Sequence, residues 1–192
     1  MKQARRRATY QDLSKVPEYK VAEIIDGELV VSPRPASPHA LAASGIGMDL
    51  GPFHRPPGST GAPGGWWILF EPELHFGEDV IVPDLAAWRR QRMPVLPNVA
   101  AFTQAPDWVC EVVSPSTVQV DRAHKMRVYA RESVQSLWMV EPLGRTLEVY
   151  RLEAERWVLV VTHAGSVRVR VEPFAEVELA LDRWWLEPQP TE

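Results

Sequence analysis

Three stretches of the sequence set ionisable side chains inside or at the ends of apolar runs. In IVPDLAAW, Asp84 follows Pro83. In DWVCEVVSPST, Glu111 interrupts what otherwise reads as a buried strand. In DRAHKMRVYA, Lys125 stands about one helical turn beyond Asp121. A lone ionised carboxylate in apolar surroundings is costly unless it is paired or holds a metal, so Glu111 needs a partner. Asp84 and Glu111 on neighbouring strands would form a hard-oxygen site for Mg2+ or Mn2+, which takes few protein ligands and keeps several waters. A lysine near that site can position or deprotonate a water while the metal stabilises charge on a phosphodiester. Taken singly, each stretch is unspecific: aspartate after proline is common in turns, strand-end glutamates are usually solvated, and helical lysines usually decorate surfaces.

The elements that must position these residues follow from pattern. VAEIIDGELVVSP predicts two short strands joined at Asp26-Gly27, because both central residues of a type I′ turn need positive φ. Pro33, Pro35 and Pro38 end that hairpin. HALAASGIGMDLGPF is read as a helix weakened by Gly45 and Gly47. RPPGSTGAPGG has no periodicity and is a loop. WWILFEPELHF and VIVPDLAAWR are strand-like, and DWVCEVVS is short and almost continuously apolar, as in a central strand covered on both faces. SPSTVQVDRAHKMRVYARESV looks helical in its second half, with a partial apolar stripe at Val120, Ala123, Met126, Val128 and Ala130. SLWMVEP, TLEVYRL and RWVLVVTH are strand candidates, with a turn at Leu143-Gly144-Arg145, and SVRVRV and EVELAL form a weaker pair. The unit from Trp108 to Val140 is long enough for a parallel crossover.

The fold class expected is α/β: a mixed β-sheet flanked by few helices, with an N-terminal β-hairpin and extra C-terminal strands. At 192 residues the chain is read as one domain, 1–192, with a flexible basic start over 1–9. The composition, 45% hydrophobic and 24% charged, is that of an ordinary globular protein. The single cysteine, Cys110, is read as a buried hydrophobe, and no intramolecular disulfide is available. The N-terminal basic cluster lacks an apolar run after it, and no window approaches the roughly 18–20 apolar residues of a membrane span, so a cytoplasmic protein is expected. A net charge of −4 gives no global field for nucleic acid, leaving local clusters such as Arg5 to Arg7, Arg89 to Arg92 and Arg122 to Arg131.

VPDL, PDWVCEVVSPST, DRAHKMRVYAR and LWMVEP together resemble the Uma-two family, a bacterial branch of the PD-(D/E)XK restriction-endonuclease-like superfamily. The core signature, E-V-x-S-P-S-T followed by D-R-x-x-K-x-x-x-Y-A, is present without a gap, and the DGEL hairpin and His39 fit the family's N-terminal half. The resemblance implies a restriction-endonuclease-like fold and a Mg2+- or Mn2+-dependent endonuclease acting on DNA, with a homodimer among the expected partners. Asp84 and Glu111 would bind the metal, with the Val112 backbone carbonyl as a further ligand. In the superfamily's simplest form the lysine stands two residues after the second acid, where this chain has Val113. The family carries its lysine on the following helix, which Lys125 matches. Two other readings stay open: a non-catalytic binding protein that keeps the fold, or a metal-dependent hydrolase of another substrate.

The remaining candidates are less specific. Asp121 is read either as a helix-start carboxylate favouring the dipole or as a contact to Lys125 or the metal. Ser116 and Thr117 are read as capping or turn residues. The resemblance suggests that Glu23 or Glu28 faces the site, with solvation the alternative. His39 could contact phosphate or carry protons beside the metal, or be structural. Glu71 and Glu73 are read as solvated residues around Pro72, and Trp66, Trp67, Trp184 and Trp185 as core or dimer contacts rather than base-stacking platforms.

Overall fold

A computed structural model describes residues 6–115 and 117–187. Its frame is a six-stranded sheet in the order β10-β9-β8-β7-β6-β3, built from β3 (Trp66–Phe70), β6 (Leu85–Arg89), β7 (Trp108–Val112), β8 (Ser136–Glu141), β9 (Thr146–Glu153) and β10 (Arg156–Ala164). All neighbouring strands are antiparallel except β7 and β8, whose parallel pairing requires the crossover expected from the sequence. Every residue of β7 is buried, as its unbroken apolar run implies.

The hairpin of β1 (Lys20–Ile25) and β2 (Glu28–Pro33) forms at Asp26-Gly27, whose φ angles are +55° and +81°. It does not join the large sheet. It belongs to a second, four-stranded sheet, β2-β1-β5-β4, completed by β4 (Leu74–Phe76) and β5 (Asp79–Ile81). The two runs expected as single strands are therefore each broken. The chain leaves the large sheet at Glu71-Pro72-Glu73 and returns at Val82-Pro83-Asp84. Proline offers no N–H to a ladder, so both breaks fall where pairing must lapse. The Glu71 N–H donates to the Asp84 carbonyl at 3.0 Å and ties the two breaks together.

Strand alternation divides the core between the faces of the large sheet. On one face Leu85, Ala87, Trp108, Cys110 and Val112 pack under α2 (Ser37–Asp49) and the C-terminal segment. There Phe174 gathers Trp66, Trp108 and Trp138 at centroid distances of 4.9, 5.1 and 5.6 Å. Trp184 and Trp185 are buried in the same cluster, and Trp67 is capped by the Arg90 guanidinium 3.3 Å from its centroid. On the other face Ala86, Trp88 and Val109 meet the smaller sheet and the helical segment. The glycines that weaken α2 by propensity have a packing role: a Cβ at Gly45 would lie 2.9 Å from Trp184 Cδ1, and one at Gly47 would overlap the Phe70 ring.

The helical segment runs without interruption through α3 (Val118–Val120), a π-helical turn at Asp121–Lys125 and α4 (Met126–Arg131), and so begins earlier than the sequence pattern suggests. The widened turn shifts the phase of the helix. The inward face becomes Asp121, Lys125, Val128 and Tyr129, whereas Ala123, expected in the apolar stripe, is exposed. Among the N-terminal residues, Arg5 and the earlier ones lie outside the described residues. The segment from residue 6 is held rather than free: Ala8 N–H donates to the Gly27 carbonyl at 2.8 Å, ahead of a short α1 (Tyr10–Leu13). The weak C-terminal pair is a separate two-stranded sheet of β11 (Arg168–Val169) and β12 (Leu179–Ala180). No described helix is long and apolar enough to cross a membrane.

Candidate active site

The antiparallel register of β6 and β7 sets Leu85 against Cys110. One step beyond the end of β6, Asp84 falls opposite Glu111; alternation sends Glu111 to the face covered by the helical segment and the smaller sheet, while the Asp84 side chain turns to the Val112 N–H and to His39 of α2. Two residues distant by 27 positions are thus made neighbours by the break at Pro83 and the register that follows it.

Glu111 is 2% exposed, and its partners account for a carboxylate in an apolar strand. Lys125 Nζ lies 2.8 Å from Oε1 and 2.9 Å from Oε2. The Tyr129 hydroxyl, four residues further along the helix, donates to Oε1 at 2.5 Å. Lys125, also 2% exposed, lies 3.1 Å from Glu23 Oε1, donates to the Val82 carbonyl at 3.1 Å, and stands 3.8 Å from Asp121. Asp84 is the more open carboxylate. Its Oδ1 is 3.0 Å from His39 Nε2, in the first turn of α2, and its Oδ2 accepts the Val112 N–H at 2.7 Å. His39 Nδ1 is buried and has no hydrogen-bond partner among the described residues.

The charges of the site are unequal. Desolvation works against the Lys125 ammonium, yet Glu111, Glu23, Tyr129 and Asp121 outweigh it and hold its pKa well above the ordinary lysine value. Burial pushes Asp121 upward despite Lys125 and a hydrogen bond from Thr117. For His39, burial opposes the charged ring, but the hydrogen bond and charge of Asp84, with Asp121 and Glu71 further off, leave its pKa raised. These groups line one cavity of about 490 Å³ whose mouth is formed by the open end of the β1–β2 hairpin and the start of α2.

Not every residue singled out from the sequence arrives here. Asp84, Glu111, Lys125, Asp121, His39, Glu23 and Val112 line the cavity. Glu28 does not. It shares a hairpin face with Glu23, but the pairing of Glu23 with Val30 and of Ile25 with Glu28 places it at the turn. There it is exposed and lines a different cavity with Arg7 and Asp12. Thr117 closes a turn, accepting the Ser114 N–H on its hydroxyl at 3.1 Å, while the role expected of Ser116 lies outside the described residues. Glu71, read as solvated, is exposed at the cavity wall with φ +45°. Tyr129 is the residue that sequence reasoning missed. Its spacing from Lys125, i to i+4, was the available signal.

A divalent cation fits the donor chemistry of the site. Five carboxylates, Glu23, Glu71, Asp84, Glu111 and Asp121, line the cavity with one buried ammonium and one histidine, and each carboxylate oxygen has lone pairs beyond those already engaged. Among the described residues no three His, Cys, Asp or Glu side chains converge into a ready-made cage. Such a site suits Mg2+, which is commonly held by one or two carboxylates and its own waters.

The architecture is an α/β fold of the restriction-endonuclease-like class. It matches a crystal structure titled "putative nuclease belonging to DUF820" from Anabaena variabilis with a TM-score of 0.67 and 24% identity, covering 92% of this chain and 97% of that one. The model of the Uma2 family, described as "Putative restriction endonuclease", matches residues 7–182, and the chain belongs to that family. No curated protein matches it.

Proposed function

We propose that this protein is a metal-dependent endonuclease that hydrolyses DNA phosphodiester bonds, with Asp84, Glu111 and the Val112 carbonyl holding Mg2+ or Mn2+. The observation that carries this reading is the placement of Asp84 opposite Glu111 at the inner end of a cavity whose carboxylates outnumber its cations. When bound, the ion would supply positive charge at the scissile phosphate and acidify water. The chain's own residues do the rest. Lys125 would orient or activate the attacking water. It fixes both oxygens of Glu111 and places a positive charge where the phosphoryl group gains negative charge. All three of its N–H donors have oxygen partners, so exchange of the 3.1 Å Glu23 contact would free one to orient the attacking water. His39 fixes the rotamer of Asp84, and Tyr129 that of Glu111. A homodimer belongs to the same reading.

The test is nicking of supercoiled plasmid in Mn2+, Mg2+ or EDTA. Wild type should nick only with metal, and Asp84→Asn should lose at least about 100-fold of the rate, the scale on which positioned charge acts in catalysis. Asp84→Asn nicking as fast as wild type would overturn the assignment. A non-catalytic fold-retaining protein is favoured by one observation: both oxygens of Glu111 are satisfied without an ion. That reading requires Mn2+ to leave the melting temperature unchanged.

A further inference from the structure

The floor of the cavity and its mouth differ in character. Glu111 and Lys125 at the floor are almost wholly buried. A double helix presents its phosphates on a broad convex surface, and nothing on such a surface reaches to the bottom of a walled cavity of about 490 Å³. A volume of this size is that of a small-molecule site. One nucleotide splayed out of a strand can enter it.

The mouth carries what a single strand needs. Lys20 and Arg34, both exposed, line it from the two strands of the hairpin. Neither makes an ion pair among the described residues, and Arg34 instead donates to the Glu18 carbonyl at 2.8 Å. Tyr19 immediately precedes Lys20, the residue that pairs with Pro33 at the end of the hairpin. Tyr19 is 70% exposed. Phe70, next in sequence to the wall residue Glu71, is 55% exposed and lies over Gly47, the helix position that spares room for its ring. Two exposed aromatic rings, each next in sequence to a residue that lines the cavity, together with lip cations that form no ion pair among the described residues, are parts of a sequence-tolerant single-strand groove, in which bases stack and cations follow the backbone.

We propose that the substrate is a single strand of nucleic acid, or the splayed end of a duplex, with bases stacked on Tyr19 and Phe70 and the backbone led by Lys20 and Arg34 to Asp84. The cleavage part rests on the nuclease reading, whereas the binding part stands on the mouth alone. Fluorescence anisotropy in EDTA, where nothing is cut, measures binding of a labelled strand of roughly 16 nucleotides, as DNA and as RNA, and of the duplex of the same sequence. The single strand should bind at least about ten-fold tighter than the duplex. Loss of one stacking platform in Tyr19→Ala or Phe70→Ala should weaken it roughly 5- to 100-fold, while Tyr19→Phe keeps it near wild type. The Lys20→Ala/Arg34→Ala pair should flatten the slope of log affinity against log salt by roughly 1.4. Gly47→Ala, which adds a Cβ under the Phe70 ring, displaces that ring without deleting it and should weaken strand binding in a protein that still melts cooperatively. The proposal is overturned if the duplex binds as tightly as the single strand, or if the aromatic variants bind like wild type. Strands bound in this way but left uncut in Mn2+ would retain the binding surface and remove the nuclease reading. Equal cutting of duplex and single strands would do the reverse.

Discussion

At the scale of single residues, the site is a buried ion cluster whose parts depend on one another. Replacing one member of a buried pair strands the other's charge, which costs about 3–5 kcal/mol, whereas replacing both by groups of similar volume is often close to neutral. Lys125→Met should therefore lower stability by about 3–5 kcal/mol in urea denaturation, and Glu111→Gln in the same chain should recover most of it. Failure of the double variant to recover would mean that Glu23 and Asp121, rather than Glu111, are what Lys125 chiefly compensates. It also follows that Lys125→Ala is a poor probe of chemistry, since a partly unfolded protein is inactive for any reason. Asp84 is the better one, being more open than Glu23, Glu111 and Asp121 and held by His39 and a single backbone N–H.

At the scale of elements, the close contacts of α2 and the helical segment decide how well the site is held. The Cβ added by Gly45→Ala would press on buried Trp184 and the Arg183 carbonyl. Overpacking of this kind costs about 1–3 kcal/mol and exceeds the roughly 1 kcal/mol gained in helix propensity. A net loss of melting temperature is expected, and a gain would show that the C-terminal segment yields freely. On the opposite face, Arg122 of the π-helical turn reaches Glu148 of β9 at 2.7 Å, and Tyr150 donates to the same carboxylate at 2.8 Å. Burial raises the Glu148 pKa, but the hydrogen bonds from Arg122 and Tyr150 prevail and hold it below the ordinary glutamate value. A carboxylate whose folded pKa is depressed adds stability above its unfolded pKa and loses it as pH falls through the folded value. Wild type should thus be more stable than Glu148→Gln at neutral pH, by no more than about 1 kcal/mol for a partly exposed pair. The two urea midpoints should converge as pH falls below the unfolded glutamate value and through the lower folded one. A constant gap across that range would place the effect in packing rather than in charge.

At the scale of the whole molecule, the large sheet ends in an open edge. β10 exposes Val158, Leu159 and Val160 in succession, with an irregular register between Leu159 and Val161 that blunts part of the strand. Unpaired edge strands with apolar side chains are where sheets adhere to one another. Leu159→Lys should suppress concentration-dependent association in sedimentation velocity and leave the melting temperature unchanged. Association of equal strength in this variant would move any dimer contact away from β10.

Much of this was legible in the chain itself. The hairpin was readable because Asp-Gly between apolar runs permits few other turns, and β7 because a short unbroken apolar run suits a strand covered on both faces. The signature around Glu111 and Lys125 pointed to the family, since its residues are close in sequence and each performs a local task. The tertiary structure decided the rest. Whether Glu23 or Glu28 faces the cavity depends on distance along a strand, which alternation does not reveal. Whether WWILFEPELHF is one strand or two depends on a second sheet being there to receive it. Tyr129, the tyrosine of the D-R-x-x-K-x-x-x-Y-A signature, received no role from the sequence because its partner lies 18 positions away, and a tyrosine on an apolar helix face reads as core until a carboxylate is brought against it. Local patterning fixes what each segment can become, while the pairing of distant segments, through register and burial, determines which ionisable groups must neutralise one another.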